Sequence, residues 1–215
     1  MSEKRPTLTR ERVLEGAVTL ADEIGIEALT IRRLAEALET KPMTIYYHVP
    51  SKDDIVDGMV EIVFAEIERP GPDEDWRQAI RNRCVSARQV LRRHPWAAPL
   101  MESRTSPGPA NLGHHEAVLS CLRRGGMSWQ MTAHAYAVLD SFVYGFAFQE
   151  ATLPAYDSGG FPEAAREIGA GFDAEAYPHL IGLMSNHVFQ PGYDFGISFE
   201  FGLDLILDGL ERAAG

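Results

Sequence analysis

Hydrophobic positions recur at spacings of three and four residues along most of the chain, which is the pattern of amphipathic α-helices. Alternating, strand-like segments are few and short. The first periodic segment begins at Thr9, a residue type that caps helix starts, and ends at Gly25, which suits the left-handed conformation at a helix end. The pattern predicts an all-α protein with a three-helix head and a larger helical body.

Two shorter periodic segments and one longer one follow. One spans 30–38, and a second begins at Pro42, a residue favoured in the first helical turn, and stops at Val49-Pro50. Ser51 then opens a fourth helix, 52–68, through a capping box that ends in a carboxylate three residues later. The sequence therefore predicts two short helices between two longer ones.

A break at Pro70-Gly71-Pro72-Asp73 is the best domain boundary in the chain. We expect a first domain over 1–52, a connecting helix at about 52–68 and a second domain over 69–215. Further helices are predicted near 74–93, 95–102, 109–124, 128–152, 174–188 and 193–212, with a loop at 154–162. Whether residues 163–172 are ordered is left open.

Composition and charge narrow the class of protein. The 215 residues are 45% hydrophobic and 24% charged, as in an ordinary globular protein, and no apolar run is long enough to span a membrane. The N-terminus lacks a secretory signal, so we expect a cytoplasmic protein with no membrane partner. Residues 1–52 hold eight basic and eight acidic side chains, so the net charge of −11 belongs to 53–215. A neutral head leaves nucleic-acid binding open.

Two short helices joined by a tight turn and stacked on a longer helix are typical of a helix-turn-helix. Its outward side carries donors that can reach phosphates and base edges. In a sequence without this order of elements, such arginines and lysines would more often serve only to keep an exposed helix face soluble. The candidates are Thr30, Arg32, Arg33, Lys41, Thr44, Tyr46, His48 and Lys52.

The order and spacing of these residues resemble the tetracycline-repressor (TetR) family of bacterial transcription regulators. The resemblance is carried by Leu29-Thr30-Ile31-Arg32-Arg33-Leu34-Ala35-Glu36-Ala37-Leu38, then by Met43-Thr44-Ile45-Tyr46-Tyr47-His48-Val49, and then by Ser51-Lys52-Asp53-Asp54. The segments 139–150 and 201–211 are similar to the two dimer helices of the tetracycline-repressor subgroup.

The resemblance implies a homodimer that reads a palindromic operator in double-stranded DNA, with the third helix in the major groove. It implies base contacts from Arg32, Lys41, Pro42, Met43 and Thr44, phosphate contacts from Thr30, Tyr46 and Lys52, and either kind from His48. Tyr47 is expected to pack behind the helix. The family has glycine and valine in the turn where this chain has Glu39-Thr40. A left-handed Glu39 costs about 1 kcal/mol relative to glycine.

The body is expected to hold a dimer interface and a pocket for an unidentified small-molecule effector, although both sets of residues could instead be monomer core. The interface candidates are Tyr144, Phe148, Phe195, Phe199, Gly202, Leu203, Ile206 and Leu210. The pocket candidates are Trp96, Leu100, Met101, Asn111, His115, Leu119, His134, Leu139, Phe142 and Phe146. The acidic body favours neutral or cationic ligands. The tetracycline repressor holds its magnesium–drug complex with a histidine that this chain lacks at 101–106, so that effector is not expected.

Two functions remain open at this point. The first is a DNA-binding regulator, most simply a repressor that a small molecule releases from its operator, with an activator as a variant. The second is a helical dimer that binds a small molecule or a protein but not DNA, because Glu39 has abolished DNA binding by the helix-turn-helix. We expect no enzyme, cofactor or metal site, since the histidines lack ligand spacing and no glycine-rich phosphate loop or nucleophile elbow is present.

Overall fold

The computed structural model describes residues 7–104, 106–153, 171–173 and 175–214. Regular secondary structure in those residues is helical, which confirms the all-α prediction. The loop expected at 154–162 and nearly all of 163–172 lie outside the described residues. The described α-helices are α1 (Arg10–Ile24), α2 (Ile31–Ala37), α3 (Pro42–His48), α4 (Lys52–Glu66), α5 (Trp76–Arg93), α6 (Ala97–Ser103), α7 (Pro109–Arg124), α8 (Trp129–Thr152), α9 (Pro178–Leu183) and α10 (Ile197–Ala214).

The head helices begin and end at the residues that the sequence indicated. Thr9 accepts a hydrogen bond from the Arg12 backbone N–H at 3.3 Å, and Gly25 ends α1 with φ of 79°. Thr30 and Ser51 cap α2 and α4 in the same manner. Each cap satisfies a backbone donor that the first helical turn leaves without a partner, so the boundaries follow from local chemistry.

Helix α4 belongs to both halves of the molecule. It packs against α1 in the head and against α6 and α7 in the body. Its contact with α1 is close because Gly58 has no side chain: a Cβ there would lie 2.6 Å from the methyl groups of Leu14. Met59 and Val63 are fully buried, so one continuous core runs from the head into the body.

The body packs α5 against α8, with α7 and α10 on either side. Phe142 and Phe146 of α8 lie against Phe195 and Phe199, with ring centroids 4.6 to 5.2 Å apart. Along the outer edge of α5, Arg77 pairs with Asp208 of α10 at 2.5 Å. These contacts join the last helix to the centre of the body.

Two helix boundaries in the body differ from expectation. The helix predicted over 174–188 is the short α9 followed by a π-helical turn, Met184–Val188. Helix α10 begins at Ile197 rather than 193, because Gly192 adopts φ of 83° and Asp194 turns its side chain back to the Gly196 N–H. Periodicity does not register such turn chemistry. None of the described helices is both long and apolar enough to cross a membrane.

Candidate DNA-reading surface and effector cavity

The turn between α2 and α3 is closed by backbone hydrogen bonds of the Schellman type. The Thr40 N–H donates to the Ala35 carbonyl at 2.8 Å, and the Glu39 N–H donates to the Glu36 carbonyl at 3.1 Å. Glu39 has φ of 49° and is the one described residue other than glycine with a positive φ. The turn therefore holds a residue other than glycine in a backbone conformation that its Cβ disfavours.

Helix α3 presents most of its side chains to solvent. Ile45 is fully buried, whereas Met43 is 76% exposed and Tyr46 is 41% exposed. Lys41 occupies the N-cap position and Pro42 the first turn, and both are exposed. Thr44 and His48 are half-buried on the flanks. The expected base-reading residues other than Arg32 thus lie at the accessible start of one short helix.

The prediction that Tyr47 packs behind the helix is wrong. The side chain is 86% exposed. Ile45 and Val49, four residues apart, occupy the inner face, and a residue two positions after Ile45 points to the opposite side. That spacing was readable from the sequence. Tyr47 therefore adds an aromatic side chain to the exposed surface of α3.

The flanking candidates lie on α2 and at the start of α4. Arg32 is exposed and pairs with Glu36 at 3.0 Å, a contact that solvent weakens. Arg33 donates to the Ala28 carbonyl at 3.2 Å and so braces the turn before α2. Lys52 is exposed in the first turn of α4, beside backbone N–H groups that suit a phosphate.

A cavity of about 560 Å³ lies between α6, α7 and α8. Three predicted pocket residues line it: Met101, Asn111 and His115. Tyr144, expected at the dimer interface, also lies in its wall. The rest of the lining is Glu102, Arg104, Pro107, Leu112, Tyr136, Ala137, Asp140 and Ser141.

The other predicted pocket residues lie elsewhere. Trp96 donates from its indole to Asp22 of α1 at 2.7 Å. Leu139 is buried, Phe142 and Phe146 stack on the α10 side, and His134 is exposed. Leu100 and Leu119 are half-buried, and neither is among the residues that line the cavity. The apolar character of these residues in the sequence did not distinguish residues that line the cavity from residues that pack in the core.

A buried ion pair reaches the cavity through Asp140. Arg83 of α5 is 1% exposed and pairs with Asp140 at 2.7 Å. Its Nε donates to Nε2 of His114 at 3.0 Å, so the proton of a neutral His114 resides on Nδ1. Burial, and secondly the charge of Arg83, lower the pKa of His114 to about 3. His114 is therefore neutral near pH 7.

Sequence reasoning missed Arg83 and Asp140. Arg83 stands between Ile80 and Ala87 on the inner face of α5, at the three- and four-residue spacing of buried positions. Asp140 is the one acidic side chain within an apolar run of α8. A charge at a core position of one helix requires an opposite charge on a neighbour, and this signal could have found the pair.

The wall of the cavity carries further polar groups. His115 Nδ1 and the Tyr136 hydroxyl form a hydrogen bond. Asn111 is 6% exposed, and its Oδ1 has no hydrogen-bond partner in the part of the chain that the structure describes. Partial burial, and secondly the charge of Asp140, raise the pKa of Glu102. The cavity thus combines aromatic walls with acceptors that a ligand can use.

Polar contacts join the edges of the cavity to α4. Arg104, at the end of α6, pairs with Asp57 of α4 and lies 3.8 Å from Asp53. Glu61 of α4 accepts hydrogen bonds from the backbone N–H groups of Ala110 at 2.7 Å and Asn111 at 3.1 Å. Glu61 thereby caps the start of α7. These contacts connect α6 and α7 to the helix that carries the head.

The predicted dimer residues divide between core and surface. Phe199 and Leu203 are fully buried within one chain, and Leu210 is 7% exposed. Phe195, Gly202 and Ile206 are half-buried, and a Cβ on Gly202 would meet the Phe142 ring at 2.8 Å. Phe148 of α8 is 60% exposed. An exposed apolar stripe on α10 is formed by Ile197 (65%), Phe201 (67%) and Leu205 (56%).

A helix-turn-helix head, joined by one helix to a helical body with a polar cavity, defines a one-component DNA-binding regulator. Comparison with protein families agrees. Residues 13–59 match the family of bacterial regulatory proteins, tetR family, and residues 69–214 match the tetracyclin repressor-like, C-terminal domain. The chain belongs to the tetR family of bacterial regulatory proteins.

Individual relatives extend over the whole chain. The HTH-type transcriptional repressor DrrR1 of Streptomyces coeruleorubidus is 34% identical, over 96% of this chain and 78% of that protein. The class E tetracycline repressor protein of Escherichia coli is 28% identical over 94% of this chain and 90% of its own. The structure of Streptomyces coelicolor ActR in complex with actinorhodin superimposes with a TM-score of 0.78, at 28% identity, over 100% of this chain and 99% of ActR.

Proposed function

We propose that this protein is a transcriptional repressor that binds a palindromic operator as a homodimer and leaves it when a small molecule occupies the cavity between α6, α7 and α8. The observation that carries the proposal is the pair of polar links from the cavity edge to α4, through Arg104 and Glu61. They connect a ligand-sized space to the single helix that carries the reading head.

The division of labour follows from that arrangement. The head, 1–52, reads DNA, α4 transmits movement, and the body, 69–215, binds the effector and the second copy. Because bacterial operator DNA is in the cytoplasm, the protein acts there. The relatives support this division: ActR has been crystallised with actinorhodin and with (S)-DNPA, and DrrR1 is named a transcriptional repressor.

In the head, exposure and chemistry support the roles that the family resemblance implies. Lys41, Pro42, Met43 and Thr44 face base edges from the start of α3, where a lysine can pair with guanine and a methyl group can contact thymine. Arg32 reaches a base from α2, and its exposed pair with Glu36 is weak enough to give way. Thr30, Tyr46 and Lys52 hold phosphates, and His48 contacts either phosphate or base.

The homodimer forms through α8 and α10. The exposed apolar stripe on α10 and Phe148 on α8 together make a surface that a second copy covers. Phe195, Gly202 and Ile206 contribute at its edge, while Phe199, Leu203, Leu210 and Tyr144 support it from within. In the dimer the two α3 helices are spaced to enter successive major grooves, about 34 Å apart.

Release of DNA requires that the effector bind the non-reading arrangement more tightly than the reading one. A ligand between α6 and α7 pushes on the segment that carries Arg104 and on the start of α7. Asp57 and Glu61 then carry the shift to α4. The separation of the two α3 helices changes, and they no longer fit successive grooves.

The experiment is a selection of genomic fragments by the purified protein, followed by gel shifts on the recovered sequence at several salt concentrations. A palindrome is expected. Lys52→Ala should weaken binding to all sequences and reduce the slope of log affinity against log salt by about two per dimer. Arg32→Ala should relax base choice at one position per half-site.

Arg92→Ala, which removes an exposed charge from the body, is the matched control and should leave both properties unchanged. Absence of DNA binding at low salt would refute the regulator. It would favour a helical dimer that binds a small molecule or a protein without DNA.

A further inference from the structure

The charges around the cavity are not balanced. The charged residues that line it are two carboxylates, Glu102 and Asp140, and one arginine, Arg104. Arg104 already pairs with Asp57 of α4, and Asp140 already pairs with the buried Arg83. The wall therefore has a net negative charge near the space that a ligand would fill.

Glu102 is the carboxylate that remains to be neutralised. Among the described residues it forms no ion pair, and its surroundings disfavour its charge through partial burial and the nearby Asp140. It stands on the exposed side of the cavity, next to the wall residue Met101. A positive group placed between Glu102 and Asp140 would offset the repulsion of the two carboxylates.

Asn111 independently indicates that a hydrogen-bond donor is missing at the cavity wall. Its backbone N–H is already bonded to Glu61, and the side chain is buried. The Oδ1 atom has no partner in the part of the chain that the structure describes, although it belongs to a residue of the cavity wall. Because a buried acceptor without a partner is costly, a ligand that donates a hydrogen bond there is favoured.

The remaining wall suits the apolar part of an organic cation. Tyr136 and Tyr144 place two aromatic rings in the lining, and Met101, Leu112 and Pro107 add apolar surface. Aromatic rings attract cations through their negative faces, and the attraction grows when water is excluded. A ligand with neither a positive charge nor a hydrogen-bond donor would leave the Asn111 Oδ1 atom without a partner.

We propose that the effector is an apolar, ring-containing organic cation whose protonated amine is held by Glu102, Asp140 and the Asn111 carbonyl oxygen. This inference rests on the proposed function, because it assigns a ligand class to the same cavity. It excludes carboxylate-bearing ligands as the preferred class. The hydrogen-bonded pair of His115 and Tyr136 orients the ring side of the ligand.

The class can be tested with three probes that share one ring system: the aminoacridinium cation, neutral acridone and acridine carboxylate. Fluorescence anisotropy titrations are made with the full chain in the absence of DNA, because the cation itself intercalates. We expect the cation to bind about tenfold more tightly than acridone, and the carboxylate to bind least. Equal or tighter binding of acridone or of the carboxylate overturns the proposal.

Two variants locate the preference. Glu102→Gln keeps the size of an exposed side chain and should remove most of the tenfold preference for the cation, while acridone affinity stays the same. Asn111→Leu should weaken the cation more than acridone. Glu23→Gln, on the outer face of α1, is the matched control and should change neither affinity. An unchanged preference in Glu102→Gln overturns the proposal even if Asn111→Leu fails to fold.

Operator binding without any probe is measured in parallel by gel shift. If the protein binds its operator but does not prefer the cation, the proposed ligand class is refuted and the repressor function stands. If the protein prefers the cation but binds no DNA, the repressor function is refuted and the ligand class stands.

Discussion

Replacement of Arg83 by methionine should destabilise the protein severely, and the structure gives the size of the effect. The arginine is 1% exposed and its partner Asp140 is 8% exposed, so the substitution leaves a buried carboxylate without its cation. His114 also loses the donor to its Nε2. Removal of one partner of a buried pair costs about 3 to 5 kcal/mol.

The lower end of that range is expected here. Asp140 lines the cavity, so water can partly solvate it once Arg83 is gone. We therefore expect a loss of about 3 kcal/mol, a large share of the roughly 5 to 15 kcal/mol that stabilises a typical protein. Asp140→Leu in the same chain removes the stranded charge. The double variant should recover to within about 1 kcal/mol of the wild type, as buried pairs exchanged for apolar residues often do.

Urea unfolding at one fixed protomer concentration measures these differences, because the stability of a dimer depends on concentration. Arg77→Met is the matched control on the same helix. Arg77 pairs with Asp208, but their side chains are 29% and 49% exposed, so its loss should cost less than about 1 kcal/mol. Equal losses for Arg83→Met and Arg77→Met would refute the reasoning, as would a double variant no more stable than Arg83→Met.

Three further predictions concern pH, the turn and the route to the head. The folded pKa of His114 is about 3, below the ordinary 6.5, so the unfolded chain takes up the proton first and stability falls as pH drops below 6.5. Between pH 7 and 5 the free energy of unfolding in urea should fall by about 2 kcal/mol more for the wild type than for His114→Gln. An equal fall in the two proteins would contradict the lowered pKa of His114. Glu39→Gly should raise stability by about 1 kcal/mol relative to Glu39→Ala, which keeps the strain, and should bind the operator at least as tightly as wild type. Equal stability of the two variants would show that φ of 49° is not strained. Arg104→Met should keep operator affinity but require more effector for release in gel shifts, with Arg92→Met as control; unchanged release would exclude the route through Asp57.

Local chemistry made the head predictable from sequence. Thr9, Thr30 and Ser51 cap helices through contacts within three residues, and Gly25 and Glu39 take positive φ at helix ends. Such contacts need only neighbours in the chain, so they are specified before any tertiary packing. The placement of Tyr47 was wrong although the spacing of Ile45 and Val49 already assigned it to the outer face.

The cavity was far less predictable. Helix α8 is apolar on most sides, so its sequence does not say which residues face the core, the cavity or another chain. Leu139 and Phe146 have the same character as a lining residue, yet they pack in the core. Only the arrangement of α6 and α7 against α8 determined that Met101, Asn111 and His115 share a wall.

By itself the sequence determined the all-α class, the helix-turn-helix and, apart from Tyr47, the residues that α3 presents, because helix periodicity, caps and turns act over a few residues. The tertiary structure alone decided that Arg83 meets Asp140, that Glu61 caps α7, and that Phe201 rather than Phe199 faces outward on α10. Arg83 and Asp140 lie on different helices, as do Glu61 and the residues it caps, and each pair is far apart in the chain. Their meeting depends on how whole helices pack, which no local pattern encodes.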